Sequence, residues 1–534
     1  MTSRTMLSLL HRFQQIKTSS RFLYQLTRII FRKLVSFFLK NRIVSVIITI
    51  LFCLATISGV GCAITNQISL AEKASYVGNS SVITRDSNPQ SNIFKGFGFF
   101  PNLPYYPIKD RPAIVKTLFE DMKPHVIRIE FRANWSNGAG RVDANNEQLK
   151  KQIELLKIAA SKGVTKWIGV HWSPPTEFRR YPSSRAIVDG KENSLRRDKE
   201  EDYAKYVAEL VDVFVADGVP APYGISIQNE LTFAPSSWDG MKVSKDQFRR
   251  LVKLFRRELD AAGYGSNSRN FVRVQGPESG SITGSRDWMG GRAFSYLKRD
   301  RDFAKALSDV ITHSYHPSKW SGGEYADDWR NGVLHHSGER DIWMTEMSEL
   351  DSDKSDIDVA ISMSREIGKH FGYMGTNYWV YWQGWHPNLQ HKNFPGEILT
   401  VGDVTDELPK KSRFYHVMRL LINNTQPDSK IYCFRSNDNS LSDSGTDTYE
   451  RYVDLLTFKG ESKSVVLMVN STAQDKEITV QGLINMGSRL DIYRVSDSED
   501  GKKIGSRSID QSGKVSQTIP LSSKSIVILV ANDG

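Results

Sequence analysis

The sequence predicts an α/β fold: a (β/α)8 (TIM) barrel, a C-terminal antiparallel β-sandwich domain and an N-terminal transmembrane helix. Short β-rich runs alternate with amphipathic helical stretches over residues 93–405, and this alternation stops afterwards. An uncharged apolar stretch precedes both regions. The length of 534 residues favours one large and one smaller domain over a single core.

Eight strand–helix units fill the barrel region. Helical spacing of Leu149, Ile153 and Leu156 predicts one helix that ends at Gly163, and Ser244 stands at capping-box spacing from Gln247 before another helix. A doubly wound open sheet is the alternative, but it usually has a glycine-rich phosphate loop after its first strand, and GFGF at 96–99 is not one. The predicted strands are 96–100, 126–131, 166–172, 224–229, 271–275, 310–315, 341–346 and 375–382.

The region after residue 405 contains strand-like runs without helical spacing between them, which is typical of a small antiparallel sandwich. Before the barrel, polar residues predict a linker with a possible first strand at 76–84. The predicted sandwich strands are 452–458, 464–470, 476–480, 489–495 and 525–530. The predicted segments are a basic cytoplasmic tail (1–42), an anchor (43–64), a linker with the possible first sandwich strand (65–92), the barrel (93–405) and the sandwich (406–534).

The positive charge of the chain is concentrated at its N-terminus. Residues 1–42 contain nine Lys and Arg and no Asp or Glu, so the net charge of +11 leaves only +2 on the remaining 492 residues. This distribution argues against nucleic-acid binding by the folded body. Residues 43–64 carry no charge and as a helix would extend ~33 Å, enough to cross a bilayer.

Because positive flanks stay in the cytoplasm, we expect a membrane-anchored protein whose remaining chain is extracytoplasmic, in the periplasm or at the cell surface. A cleaved signal peptide, and hence secretion, is the first alternative. Lipid attachment at Cys62 is the second. Of the three cysteines, only Cys433 lies beyond the anchor, which excludes a disulfide within the soluble part and any cysteine-based metal site there.

Two carboxylates stand at the ends of predicted barrel strands. Glu230 follows the fourth strand, and Glu346 ends the seventh. Catalytic groups of such barrels come from the C-terminal strand ends, so both are expected at one mouth. Glycoside hydrolysis uses two such groups, and at about 5–5.5 Å the second one acts as a nucleophile. The pattern predicts a carbohydrate substrate, with Glu230 as general acid/base and Glu346 as the nucleophile that forms a glycosyl-enzyme.

The motifs ISIQNE at 225–230, WMTE at 343–346 and YWVYW at 378–382 resemble clan A glycoside hydrolases, most closely glycoside hydrolase family 30. That family includes glucosylceramidases, β-1,6-glucanases and glucuronoxylanases. The resemblance covers roughly residues 93–534 and implies a retaining β-glycosidase. It also implies that a strand from before the barrel joins the C-terminal β-domain. Leu231 stands where the family usually has Pro, which weakens assignment to a subfamily.

The resemblance implies further roles. Asn229 would bind the sugar 2-hydroxyl, Arg128 would keep the nucleophile ionised, and Tyr315 of the His-x-Tyr run that starts at His313 would orient Glu346. It implies no cofactor, and the histidines lack metal-ligand spacing. The implied substrate-binding residues are Asn229, Arg128, Trp172, Tyr315, His313 and Trp382, of which Trp172 and Trp382 would wall the sugar subsite.

Several alternatives remain open. Glu130 and Glu278 also stand at or beyond strand ends, where either could bind sugar hydroxyls or be the true acid. The chain could be a non-catalytic glycan-binding surface protein on a glycosidase-like barrel. It could also be a membrane-anchored structural or biosynthetic partner. A transglycosylase would use the same covalent intermediate but pass the glycosyl group to a sugar instead of water.

Overall fold

The computed structural model describes residues 81–532, except 103–107, 109, 236–237, 283, 286–294, 316–328, 330–332, 335–336, 352, 388–395, 397–398, 402–408 and 437–454. The predicted cytoplasmic tail, the anchor at 43–64 and linker residues 65–80 lie outside this part of the chain. No helix within it is both long enough and apolar enough to cross a membrane. The predicted domain limits stay predictions.

Eight parallel strands close into a barrel, which confirms the predicted barrel architecture. β1 and β2 have the predicted bounds. Of the other six strands, β4 ends three residues before 229, β5 begins and ends later than 271–275, and β8 begins three residues after 375, while β3, β6 and β7 differ by one or two residues at their ends. The strands are β1 (Gly96–Phe100), β2 (Val126–Phe131), β3 (Trp167–His171), β4 (Gly224–Ser226), β5 (Arg273–Ser279), β6 (Asp309–His313), β7 (Ile342–Met347) and β8 (Tyr378–Trp382).

The barrel interior changes from apolar to charged along the strands. On β2, Val126 belongs to an apolar cluster, and Arg128 follows two residues later, on the same face of the strand. On β6, Ile311 and His313 repeat this order. The apolar cluster fills the part of the interior at the N-terminal ends of the strands. The charged side chains lie between this cluster and the mouth, and they are buried. The cluster consists of Val126, Ile168, Ile311, Trp343, Tyr378 and Val380.

The helices pack against the outside of the strands. Gly163 and Gly263, with φ of 87° and 90°, follow the ends of two of them, as predicted. The Ser244 side chain accepts from Gln247 N at 3.2 Å, but the Gln247 amide bonds Glu200 instead of returning to Ser244, so the predicted capping box is half formed. The α-helices are Pro112–Val115, Glu147–Ser161, Glu200–Ala216, Lys245–Ala261, Ser295–Arg299, Arg301–Ala306, Asp356–Gly372 and Arg413–Asn424.

The C-terminal region forms a ten-stranded, mainly antiparallel sheet that folds over its own apolar core. The strand Ser81–Arg85 pairs with Ser429–Ser436 and with Lys476–Gln481, so a segment from before the barrel joins this sheet. The polar strand Glu499–Ser508 has no alternating apolar pattern, so sequence periodicity missed it. The strands are Ser81–Arg85, Ile93–Phe94, Ser429–Ser436, Leu455–Lys459, Lys463–Asn470, Lys476–Gln481, Arg489–Ser496, Glu499–Ser508, Ile519–Leu521 and Ser525–Asn532.

An aromatic cluster joins the barrel to the C-terminal sheet. The ring centroids of Phe94 and Phe97 lie 4.8 Å apart, those of Phe94 and Phe458 lie 4.9 Å apart, and those of Phe97 and Phe371 lie 5.3 Å apart. All four side chains are fully buried. Each such ring contributes a large apolar area, so this junction extends the core of the barrel onto one face of the C-terminal sheet.

Asp309 lies at the start of β6, at the end of the barrel opposite the mouth, and is only 2% exposed. Its carboxylate accepts from Gln275 Nε2 at 2.9 Å and lies 3.6 Å from Arg273 Nε. Burial raises the pKa of Asp309 to about 7, because these contacts offset only part of the desolvation of the charge. The folded chain therefore binds a proton that the unfolded chain releases between pH 4 and 7.

The contribution of Asp309 to the free energy of unfolding is fully present at pH values below the pKa of this residue in the unfolded chain. It is lost as pH rises through the folded-state pKa of about 7. We expect Asp309→Asn, which carries no titrating proton, to gain thermal stability relative to the wild type as pH rises. The measurement is the melting temperature of both proteins at pH 4.5 and pH 8. A difference in melting temperature that is the same at both pH values would contradict this account.

Candidate active site

Glu230 lies just beyond β4, where the chain leaves the extended conformation. Its φ of 49° is in the left-handed region, which is uncommon for a residue with a side chain. The backbone is fixed there: Glu230 N donates to Glu278 O at 2.9 Å, and Phe233 N donates to Glu230 O at 2.7 Å. Such a conformation persists only where surrounding contacts determine it, and it is common at functional sites.

Glu346 lies within β7, and its side chain is 9% exposed, compared with 17% for Glu230. The register between β6 and β7 shifts near His313, which is paired with Glu346. A side-chain oxygen of Glu230 and one of Glu346 lie within 4.8 Å of each other. The structure therefore brings together the two carboxylates that the sequence predicted to meet.

Arg128 is the central cation of the site and is fully buried. Its Nη1 donates to Glu346 Oε2 at 2.7 Å, its Nε donates to Glu278 Oε1 at 3.1 Å, and its Nη2 donates to Asn229 Oδ1 at 2.6 Å. The predicted place of Arg128 beside Glu346 agrees with this geometry. A fork of donors in a fixed plane suits this arrangement, because one guanidinium orients three side chains at once.

Glu278, whose role the sequence left open, is a fully buried member of the site. The predicted fifth strand ends at residue 275, just before Gly276 and Pro277, which are typical of a turn. The observed strand continues through Ser279 and carries Glu278 to Arg128. Its carboxylate therefore lies within the site and accepts from Arg128. This position differs from that of Glu230, the proposed acid.

His313, also fully buried, connects the carboxylates from the side of β6. Its Nδ1 lies 3.3 Å from Glu230 Oε1, and its Nε2 lies 3.5 Å from Glu278 Oε1 and 3.9 Å from Glu346 Oε2. Burial alone would lower the pKa of His313, but the negative charges of Glu346, Glu230 and Glu278 outweigh it and raise the pKa to about 9. At neutral pH the ring is therefore an imidazolium.

The two cations, Arg128 and His313, affect the pKa values of Glu346 and Glu278 differently. Burial raises the pKa of Glu346, and the nearby His313 and Arg128 offset only part of that effect. For Glu278, burial also acts upward, but Arg128 and His313 outweigh it, and the pKa lies below its ordinary value. Glu278 is therefore an ionised counter-ion of Arg128 and His313. The protonation of Glu346, in contrast, depends on the charges of Glu230 and Glu278 beside it.

The remaining predicted residues lie around this centre. Asn229 is nearly buried, and its bond to Arg128 fixes the orientation of the side-chain amide. The half-buried rings of Trp172 and Trp382 have centroids 5.5 Å apart, with their planes tilted by 33°. The Tyr315 hydroxyl lies 3.3 Å from Ser348 Oγ, and its predicted contact with Glu346 stays a prediction.

Glu130 lies two residues after Arg128 and is fully buried. Arg132 Nη1 donates to its Oε1 at 2.7 Å, while its Oε2 has no hydrogen-bond partner among the described residues. Burial raises the pKa of Glu130 to about 7, despite the charge of Arg132. The carboxylate of Glu130 bonds Arg132, whereas that of Glu230 approaches Glu346, so the geometry favours Glu230 over Glu130 as the acid.

The side chains of Glu230, His313 and Glu346 are close enough together to hold a metal ion. The charges around them disfavour one. Arg128 already contacts Glu346 at 2.7 Å, and an imidazolium at His313 offers N–H donors instead of lone pairs. A divalent cation would have to displace a proton and approach a buried guanidinium, so we assign this cluster to proton and charge chemistry.

The charge of His313 can be measured directly. We expect the His313 ring to stay protonated at pH 7.5, whereas His171 and His370, whose pKa values burial lowers to about 3, stay neutral. Nitrogen-15 NMR of histidine-labelled protein separates the two forms. Glu278→Gln removes one negative charge and should lower the pKa of His313, and Glu477→Gln on the C-terminal sheet is the control. A wild-type His313 signal that titrates near pH 6.5 would overturn this assignment.

Comparison with known proteins identifies the fold. No protein-family model and no curated protein matches the chain. A glycoside hydrolase family 30 subfamily 8 xylanase from Clostridium acetobutylicum aligns with a TM-score of 0.62 and 16% identity, over 85% of this chain and 100% of that one. An endo-β-1,6-glucanase aligns with a TM-score of 0.60 and 14% identity, over 86% and 94%.

A conserved exported protein from Bacteroides fragilis aligns with a TM-score of 0.68 and 12% identity, over 84% of this chain and 100% of that one. At such identities the likeness is one of fold, and function has to be argued from the site. The predicted resemblance is confirmed at that level: this chain has the fold of family 30 glycoside hydrolases.

Proposed function

We propose that this protein is a retaining β-glycoside hydrolase that acts on an extracytoplasmic glycan or glycoside. The observation that carries the proposal is the approach of Glu230 and Glu346 to within 4.8 Å between their nearer oxygens at the mouth of the barrel. A separation of about 5–5.5 Å between carboxyl groups is typical of retaining enzymes, whereas inverting enzymes leave about 6.5–9.5 Å for a water molecule.

In the first step, Glu346 attacks the anomeric carbon, and the bond from that carbon to the leaving oxygen breaks. Glu230 donates its proton to that oxygen, so the leaving group departs as a neutral alcohol. The product is a glycosyl ester of Glu346 and an ionised Glu230.

In the second step, Glu230 accepts a proton from water while the water oxygen attacks the anomeric carbon. The ester bond to Glu346 breaks, and both carboxyl groups return to their initial states. Two displacements at one carbon retain the configuration of the sugar. If a sugar hydroxyl replaces the water, the same site acts as a transglycosylase.

The charges of the cluster suit this cycle. Glu230, Glu278 and Glu346 are three carboxylates facing two cations, Arg128 and the imidazolium of His313. With every acid ionised, the cluster has one negative charge in excess, and one carboxyl proton makes it neutral. A buried site favours neutrality, so the cluster as a whole tends to bind one proton, which its members share.

Arg128 and Asn229 support the nucleophile and the sugar, respectively. The guanidinium stabilises the ionised form of Glu346, which is the form that attacks. In this proposal the Asn229 amide, whose orientation Arg128 fixes, contacts the sugar 2-hydroxyl, and this bond strengthens in the transition state. Trp172 and Trp382 offer partly exposed rings, on which the C–H face of a sugar can stack.

The extracytoplasmic location remains part of the proposal and rests on the basic tail followed by the uncharged stretch at 43–64. A non-catalytic glycan-binding protein would have no need for two close carboxylates with a buried arginine between strands. Each buried charge costs several kcal/mol unless it is paired, so the retention of the whole cluster favours chemistry over binding alone.

Glu346→Gln should lower kcat/KM by more than about 10⁴-fold on any substrate that the wild type cleaves, because the amide cannot form the glycosyl-enzyme. The first screen uses the full chain and a panel of 2,4-dinitrophenyl β-glycosides. Wild-type activity in this variant would refute the assignment.

Azide distinguishes the two acids. In Glu346→Gly, azide takes the place of the nucleophile and should release an α-glycosyl azide from a β-glycoside. In Glu230→Gly, azide attacks the glycosyl-enzyme from the other face and should release the β-glycosyl azide. The reverse pattern of products would exchange the two proposed roles.

Gly280 offers a test of the position of Glu230. A Cβ at Gly280 would lie 2.8 Å from Glu230 Oε1, so Gly280→Ala has to displace the carboxylate. We expect kcat/KM to fall about 100-fold, with larger losses for poorer leaving groups, because these depend more on proton donation. Gly505→Ala, whose Cβ would meet nothing closer than Arg507 Nη1 at 3.5 Å, is the control. An equal loss for good and poor leaving groups would contradict this role.

A further inference from the structure

Two aromatic side chains on the loop after β4 are exposed to solvent. Phe233 is 48% exposed and Trp238 is 43% exposed. Their ring centroids lie 5.9 Å apart, with an angle of 37° between the planes. The other large apolar side chains of the described chain with such exposure are aliphatic. We call Phe233 and Trp238 the aromatic platform.

Hydrogen bonds fix the described chain on both sides of the platform. Val243 N donates to Leu231 O at 3.0 Å, and Gly240 N donates to Ser184 O at 3.0 Å. Leu231 and Met241 are fully buried beneath the loop. The two rings are therefore exposed above a buried apolar support, and exposed apolar surface of this kind often marks a binding site.

The platform is joined at both ends to residues of the candidate site. Phe233 N bonds Glu230 O at 2.7 Å, so Phe233 closes a tight turn that begins at the proposed acid. Asp239, which follows Trp238, lies 3.4 Å from Arg132 Nη2. Arg132 in turn bonds Glu130 at the end of β2. The platform thus lies on the Glu230 side of the mouth.

We propose that Phe233 and Trp238 bind a sugar ring of the leaving group, so that the substrate is an oligosaccharide or polysaccharide and not a glycoside with a small aglycone. This inference rests on the proposed function, because the general acid lies on the leaving-group side of the bond that breaks. Aromatic faces stack on the C–H faces of sugar rings, while the sugar hydroxyls stay in water at the open edge.

The test compares two substrates with the same glycone. The first is a β-linked disaccharide or trisaccharide, and the second is the β-glycosyl fluoride, whose leaving group has no ring to stack. In Trp238→Ala and in Phe233→Ala, the ratio of kcat/KM for the oligosaccharide to that for the fluoride should fall about tenfold, mainly through KM. Ile484→Ala, an equally exposed apolar side chain on the C-terminal region, is the control and should leave the ratio unchanged.

Three results would overturn the platform. An unchanged ratio would show that the rings do not bind the leaving group. An equal loss on both substrates would show that they act only through the position of Glu230. A loss on an octyl β-glycoside without a loss on the oligosaccharide would assign the platform to an apolar chain instead of a sugar.

A direct binding measurement separates this inference from the proposed function. Titration calorimetry of the oligosaccharide with Glu346→Gln measures affinity without turnover. We expect Trp238→Ala in that background to weaken binding about tenfold. If the wild type cleaves neither substrate but this loss is seen, the proposed hydrolase is wrong and the platform stands. If the wild type cleaves the oligosaccharide but the Trp238 variant shows no loss of affinity, the proposed hydrolase stands and the platform is wrong.

Discussion

The guanidinium of Arg128 lies in the interior of the barrel, with no surface exposed, in contact with Glu346, Glu278 and Asn229. A cation in such a place costs several kcal/mol unless anions and acceptors surround it. The three partners come from β7, from β5 and from the loop after β4. Pairing this single charge therefore holds the ends of separate strands in one geometry, and the positions of both proposed catalytic acids depend on it.

His313 adds a second cation and makes the cluster responsive to protons. Its ring lies between Glu230 and Glu278, and its pKa of about 9 results from the acids around it. Below the charged layer, an apolar cluster that includes Trp343 and Tyr378, with ring centroids 3.6 Å apart, keeps water out of the barrel. Because the local dielectric constant is low beside an apolar cluster, each electrostatic contact in the charged layer is stronger than in water. A few charges can therefore control the protonation of the site.

Much of the fold was predictable because its signals are local. The apolar runs that became β1 and β2 were predicted with their observed bounds, and Gly163 ended its helix where expected. The predicted strand bounds were wrong where the closed barrel overrides a local sequence preference. The pair Gly276 and Pro277 is typical of a turn, yet in the closed barrel it lies within β5, where it pairs with Val310 and Ile311 of β6.

For the site, the sequence alone determined which residue types stand at the ends of which strands, since strand periodicity and motif spacing are properties of the chain itself. That was enough to select Glu230 and Glu346 as members of one site, whereas Arg128 and His313 were implied by the resemblance to family 30. Only the tertiary structure decided how these groups pair and that Glu278 joins them as a permanent counter-ion. Pairing and burial depend on distances between strands far apart in the chain, and these distances exist only after the barrel has closed.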